Sequence, residues 1–144
     1  MRTSAAHPVA GGRLFLAGDA AHVLTPSGAK GMNLAIADAA DVAQALIRWY
    51  REGDRDRLDT YATRRLREFE NVKEFSGWLL RLLRLSAAEG CDPDSALRSR
   101  LAVIERIAEP GPCAAAFARQ YAGSDEVSDR SWTEQLALTS AGGF

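Results

Sequence analysis

A four-residue apolar run, Leu14 to Ala17, constrains this chain more than any other feature. It lies between Gly11-Gly12 and Gly18-Asp19, and a short apolar run between turn formers reads as a buried strand. Such a strand carries backbone donors and acceptors on both edges, and in a protein interior these must be paired. The sequence offers at most one further short strand. The partner strands are therefore expected outside this sequence. The chain is expected to be a piece of a larger protein and to be itself mainly α, with one or two short strands.

From Met32 the pattern turns helical. Ala35, Ala39, Val42, Leu46 and Trp49 follow the helical repeat, and Ile36, Ala40, Ala43, Ile47 and Tyr50 follow it beside them. So wide an apolar face predicts a largely buried helix, with Asp38, Asp41 and Arg48 on its wet side and Gly53 at its end. Asp54 is placed to cap a second, longer helix carrying Leu58, Ala62, Leu66, Phe69, Val72, Phe75, Leu79 and Leu82, with Gly77 as a break point. Asp92-Pro93 pairs a cap residue with proline at the first helical position. It predicts a third helix whose face is Leu97, Leu101, Ile104 and Ala108. Pro110-Gly111-Pro112 stops that helix. A fourth is predicted over Ala114 to Tyr121, and the capping-box spacing of Ser131 and Glu134 predicts a final turn.

Eighteen basic residues against nineteen acidic ones give a net charge of −1. That balance supplies no electrostatic reason for nucleic acid or an anionic membrane as partner. No apolar run reaches the roughly 20 residues of a membrane span, and the stretch Met1 to Gly12 lacks the layout of a signal peptide. Cys91 and Cys113 show no metal-ligand spacing. They predict buried free thiols, no metal site, and a reducing, cytoplasmic setting.

The chemistry-bearing stretch is Leu14 to Asn33, LFLAGDAAHVLTPSGAKGMN. Asp19 falls at the carboxyl end of the predicted strand, outside which ligands bind in open α/β folds. Its carboxylate can accept hydrogen bonds from sugar-like hydroxyls. Thr25-Pro26-Ser27-Gly28 has Pro and Gly where a type I turn wants them. Gly28 and Gly31 let a flat ligand come close to the backbone. The amides of Gly31, Met32 and Asn33 point out of a helix N-terminus, where orphan donors and the helix dipole favour an anionic group.

Here the sequence resembles a known family. The stretch is similar to the GD fingerprint of the class A FAD-dependent aromatic hydroxylases, and within them to the 4-hydroxybenzoate hydroxylase branch. GRLFLAGDAAH (12–22) and GAKGMNLAIAD (28–38) carry the resemblance, and residues 49–53, 74–84 and 116–121 extend it more weakly. It implies an α/β parent fold of the p-hydroxybenzoate hydroxylase kind, in which residues 1–33 end the FAD-binding domain and residues 34–144 form a C-terminal helical region. It implies hydroxylation of a phenolic substrate with O2, with FAD as cofactor and NAD(P)H as electron donor. The resemblance assigns FAD binding to Gly18, Asp19, Gly28, Gly31, Met32 and Asn33. Asp19 would bind the ribityl hydroxyls, and the Met32 and Asn33 backbone the pyrimidine edge of the ring. Pro26 would serve catalysis by offering its carbonyl to the substrate phenol, with Ser27 and Ala29 beside it on the substrate side. The family's GxGxxG turn for the ADP part of FAD does not occur here, nor does the Asp-Gly pair of its second fingerprint. FAD is therefore expected to bind this chain weakly, and a missing N-terminal half or a homodimer partner is expected to complete the site.

Other residues have plainer readings. His22 reads as a packed, hydrogen-bonded histidine rather than a general base, and His7 as a surface residue. Lys30 reads equally as solvent-facing or electrostatic. Trp49, Trp78 and Trp132 read as packing residues. Asp54 to Asp59 read as a solvated helix start, and the arginines from Arg64 to Arg84 as a domain contact. Two alternatives stand beside the hydroxylase: a non-catalytic helical interaction fragment with an exposed apolar strand edge, and one half of a split flavoenzyme.

Overall fold

The computed structural model describes residues 3–84, 92–123, 132 and 134. The chain clusters into two compact units, Met1–Ser76 and Gly77–Phe144.

The first unit opens with four two-residue strands. β1 (Ser4–Ala5) pairs antiparallel with β4 (His22–Val23), and β2 (Ala10–Gly11) pairs antiparallel with β3 (Leu14–Phe15). The β2–β3 loop is Gly12-Arg13, with Gly12 at φ +61°, and two-residue hairpin loops favour glycine at that first position. This corrects two expectations. There are four strands among the described residues rather than one or two, and Leu14 is 64% exposed rather than buried. The apolar run pairs locally, because Ala10-Gly11 lies one tight turn away. Its core contribution comes from the next residues: Phe15 and Leu16 pack on the buried cluster of Val9, Ala21 and Tyr61. The Tyr61 hydroxyl donates to the Leu16 carbonyl at 2.8 Å, and its ring meets Phe15 edge-on at 5.6 Å.

Between β3 and β4 lies a single 3₁₀ turn, Gly18–Ala20. α1 then runs Lys30–Glu52, and Gly53 ends it in the left-handed conformation with its amide on the Trp49 carbonyl. The helix starts two residues before the predicted Met32, and its orientation differs from the prediction: Ala35, Val42, Leu46 and Trp49 of the first stripe are half-buried, with Val42 on the core, but the second stripe is exposed throughout. Its buried positions are Lys30, Leu34, Asp38, Asp41 and Ala45, whereas Met32, Ile36, Ile47 and Tyr50 are exposed. The reason is charge pairing. Asp41 accepts from Arg57 Nε at 2.8 Å and from Arg64 Nη2 at 2.9 Å, and Asp38 accepts from Arg65 Nε at 2.6 Å. Carboxylates enter a protein interior when they are paired and hydrogen-bonded.

Asp54 does accept the Asp56 amide, but the helix beyond comes in two pieces. α2 (Asp56–Asp59) ends at Thr60, and α3 (Tyr61–Leu83) follows and continues through Gly77 without a break. Along the first part of α3, Phe69 and Val72 join Leu34 of α1 in a second buried cluster. The arginines at 64 and 65 therefore make contacts within the first unit. Within the charged run, Leu58 is buried and Arg57 reaches Asp41, so only part of it is solvated.

In the second unit, α4 spans Pro93–Ala108 and α5 spans Pro112–Ala122. Asp92 caps α4 as expected, its carboxylate accepting the Ser95 amide at 2.9 Å. The face predicted for α4 is not buried: Leu97, Leu101 and Ile104 are all exposed. Buried instead are Cys113 and Ala116 of α5. Trp78 packs near Phe117 at 6.2 Å and Trp132 at 5.0 Å, so these tryptophans serve packing. Cys91, Ser131 and most of the predicted final turn lie outside the described residues. No described helix is long and apolar enough to cross a membrane.

Candidate functional site

Everything chemically distinctive in the first unit converges on the segment from β3 to the start of α1. Gly18 must be glycine for two independent reasons. Its φ is +61°, and a Cβ there would lie 3.3 Å from the Ala35 Cβ on α1. That close approach lets the Gly18 amide donate to Asp38 Oδ2 at 2.8 Å. His22 Nε2 lies 2.6 Å from the same oxygen, and its ring stacks on Phe69 at 5.5 Å. His22 is thus the packed, hydrogen-bonded histidine expected, and His7 is exposed. Asp38 is fully buried, at 0% exposure. Burial pushes its carboxyl pKa up, but donation from His22, the Gly18 amide and Arg65 outweighs this and holds it below the usual carboxylate range.

The next residue, Asp19, is exposed, and its carboxylate takes no hydrogen bond among the described residues. It therefore neither caps nor braces its own loop. It presents two acceptor oxygens to whatever lies outside.

The loop ahead of α1 departs in detail from the predicted type I turn over Thr25 to Gly28. The Ala29 amide donates to the Pro26 carbonyl at 3.0 Å, and Gly28 has φ +80°. The turn thus begins one residue later, and a positive φ at its third residue marks type II. One lone pair of the Pro26 carbonyl is used by the turn, and the second remains for another donor. Pro26 and Ala29 are exposed, while Ser27 and Gly28 are half-buried.

Ala29 is left-handed at φ +53°, ψ 33°, and it is the N-cap of α1 without any side-chain cap hydrogen bond. No acidic residue sits in the first turn either. The amides of Gly31 and Met32 therefore have no intrahelical acceptor, whereas that of Asn33 turns onto the Ala29 carbonyl. A Cβ on Gly31 would meet nothing within 4 Å, and Met32 and Asn33 are exposed. Lys30 is buried rather than solvent-facing, with its ammonium 5.7 Å from the Phe75 ring centroid. Burial lowers its pKa against the opposing pull of Glu68.

The structure therefore ties the Gly18-Asp19 turn to α1, whose first turn carries Gly31, Met32 and Asn33. Sequence reasoning missed Asp38 and Arg65, which make that tie. The available signal was the four arginines at 55, 57, 64 and 65, one more than the three aspartates at 54, 56 and 59 can balance. A groove of about 690 Å³ lies elsewhere, lined by Arg13, Leu14, Phe15, Trp49, Tyr50 and Leu58 among others, and it includes none of the candidate residues.

What the arrangement can hold is a flat ligand with a hydroxylated arm and an electron-rich edge. Asp19 offers acceptors for the arm, the open side of Gly31 leaves room for the plane, and the uncapped amides offer donors for the edge. Comparison with known proteins agrees with that class. The profile of the FAD binding domain family matches residues 1–76, and the chain belongs to that family. It is 42% identical over 83 residues to a p-hydroxybenzoate hydroxylase from Acinetobacter baylyi, covering 58% of this chain and 20% of that protein. A pentachlorophenol 4-monooxygenase from Sphingobium chlorophenolicum is 47% identical over 55 residues, 38% of this chain and 10% of its own length. A 6-methylpretetramide 4-monooxygenase from Streptomyces rimosus is 46% identical over 56 residues, again 38% and 10%. The chain thus spans a fifth or less of the length of these relatives, all hydroxylases or monooxygenases by name.

Proposed function

We propose that this chain supplies the part of a FAD-dependent monooxygenase that grips the flavin ring, and that the whole enzyme hydroxylates a phenolic, 4-hydroxybenzoate-like substrate with NAD(P)H and O2. Bound FAD would supply the redox chemistry, taking electrons from NAD(P)H and passing them to O2. The chain's own residues bind and orient. Asp19, following Gly18, accepts hydrogen bonds from the ribityl hydroxyls. The amides of Gly31 and Met32 donate to the pyrimidine edge, with Asn33 beside them though its own amide is bonded to Ala29 within the helix, and the dipole of α1 favours negative charge there. Gly28 and Gly31 keep bulk away from the ring. The free lone pair of Pro26 accepts the phenol proton donor, with Ser27 and Ala29 on the substrate side. In this reading residues 1–33 carry the ligand contacts, and residues 34–144 are their helical support.

The observation that carries the reading is the start of α1: a left-handed alanine cap without a side-chain bond, followed by a glycine open on its Cβ side. The family match over residues 1–76 supports it. A fluorescence-quenching titration with FAD tests it. The expected result is binding weaker than micromolar that Asp19→Ala abolishes. Binding unaffected by Asp19→Ala would overturn the assignment.

A second reading, one half of a split flavoenzyme, is favoured by the exposure of Leu14, Ile36, Ile47 and Tyr50. Large exposed apolar surfaces mark interaction sites. Co-purification with a separately encoded chain bearing a GxGxxG turn is the outcome that would select it.

A further inference from the structure

Resting on the flavin reading above, we propose that Asp38 is a positioning residue for the flavin site, setting the spacing between the Asp19 turn and the amides at the start of α1. The two groups of candidate contacts lie on different segments. Asp19 belongs to the 3₁₀ turn after β3, and Gly31, Met32 and Asn33 belong to the first turn of α1. A ligand that touches both, with its ring edge on the amides and its hydroxylated arm on Asp19, binds best when the two segments are held in one relative placement. Asp38 stands where that can be done. It lies on α1 about two turns beyond the candidate amides. Its Oδ2 accepts the amide of Gly18, the residue immediately before Asp19.

The rest of the cluster holds that carboxylate in place. His22 Nε2 shares Oδ2 from β4, at the other end of the turn, and Arg65 Nε takes Oδ1 from α3. Both Asp38 oxygens are thereby used, and the side chain has no freedom to swing. The close packing of Gly18 against Ala35 supplies the complementary contact on the same face of α1. One carboxylate thus links the 3₁₀ turn, β4, α1 and α3. Yet it touches neither of the ligand-facing groups directly, so its effect passes through Gly18 to Asp19.

Asp38→Asn separates positioning from general support. An amide can present its oxygen either toward Gly18 and His22 or toward Arg65, and in each case its NH2 faces a donor. The orientation of the turn is read without ligand, from residual dipolar couplings of the labelled chain. In Asp38→Asn the N–H vectors of residues 18–20 should reorient relative to α1, while those of residues 61–72 in α3 keep their orientation to α1. Arg65→Gln should lower stability without reorienting the turn. Equal reorientation in both variants, or none in Asp38→Asn, would overturn the proposal. Should Asp38→Asn not fold, Asp38→Glu retains the charge on a longer arm, and it should displace the same three vectors.

Ligand binding gives the second readout. Riboflavin and lumiflavin differ in the ribityl arm. The affinity advantage of riboflavin should fall about tenfold in Asp38→Asn, the size of one hydrogen-bonded contact to a charged group, and lumiflavin binding should not change. An unchanged ratio would count against the proposal. If neither flavin binds the unmodified chain, the site is incomplete as expected, and the couplings alone decide whether Asp38 sets the turn.

Discussion

The two sides of α1 present an inverted helix. On the packed side, the fully buried positions are charged Lys30, Asp38 and Asp41 and apolar Leu34 and Ala45, with half-buried Ala35 and Val42 beside them. On the open side stand Met32 at 70% exposure, Ile36 at 61% and Tyr50 at 76%. An amphipathic surface helix ordinarily does the reverse. The difference shows that burial here follows partner supply. Arginines of α2 and α3 and one histidine meet the carboxylates, so the polar side closes within the chain. Ile36 and Tyr50 stay exposed, Tyr50 with only the neighbouring Trp49 ring at 4.8 Å among the described ring contacts. A carboxylate with three directed donors also fixes one register, which an apolar seam does less strictly.

The sharpest way to break this comparison is to remove the hub. Asp38→Ala leaves the Arg65 guanidinium and His22 buried without their acceptor, and should cost about 3–5 kcal/mol in urea unfolding. A loss no greater than that of a surface substitution would mean that the polar side does not hold the unit together. Glycine replacements come next. Gly18→Ala and Gly12→Ala both place alanine at φ +61°, a backbone cost of about 1–2 kcal/mol. Only at Gly18 does the new Cβ meet Ala35, so Gly18→Ala should be worse by about a further 1 kcal/mol or more. Equal losses would show that the turn does not press on α1.

Titration sharpens the comparison from another direction. The Asp38 carboxyl is held below its ordinary value of 3.8 in the folded chain, so the unfolded chain takes up the proton first. Its contribution is complete above that value and is lost as pH falls through the lower folded one. Tyr61 gives the opposite limb. Burial, then the nearby Asp38 charge, raises its pKa from 10.0 to about 12. Stability should hold below pH 10 and fall as pH rises toward about 12, and Tyr61→Phe should remove that limb from an alkaline unfolding curve. The smallest effect belongs to the open side. Ile36→Ser or Tyr50→Ser should change the stability of the isolated chain by no more than about 0.5 kcal/mol. A loss above 2 kcal/mol would mean that this side is packed after all.

Local signals in the sequence were reliable where one residue decides the outcome. Gly53 ends α1 and Asp92 caps α4 because cap chemistry needs only neighbouring backbone. The helical repeat from Met32 correctly indicated a long helix. It could not say which side faces inward, because Asp38 finds its partners 16, 20 and 27 residues away. No periodicity encodes such distances. The exposure of Asp19 and the open side of Gly31 were legible from the Gly-Asp pair and the spacing of glycines. The hub connecting them was hidden, because a carboxylate between alanines reads as solvated unless the distant arginines are known to arrive. The strand of Leu14 to Ala17 was overestimated for a related reason: its apolar character was visible, but the hairpin with Ala10-Gly11 rests on Gly12 taking a positive φ.

Two consecutive left-handed residues, Gly28 and Ala29, stand immediately ahead of α1. A right-handed helix cannot propagate backward through them, since each would have to cross to the opposite sign of φ. The helix therefore has a fence at its first residue. Its end cannot creep toward the loop or trade a turn with it, as frayed helix ends do. Substitutions in residues 24–27 can therefore change what lines the loop while the amides of α1 keep their address.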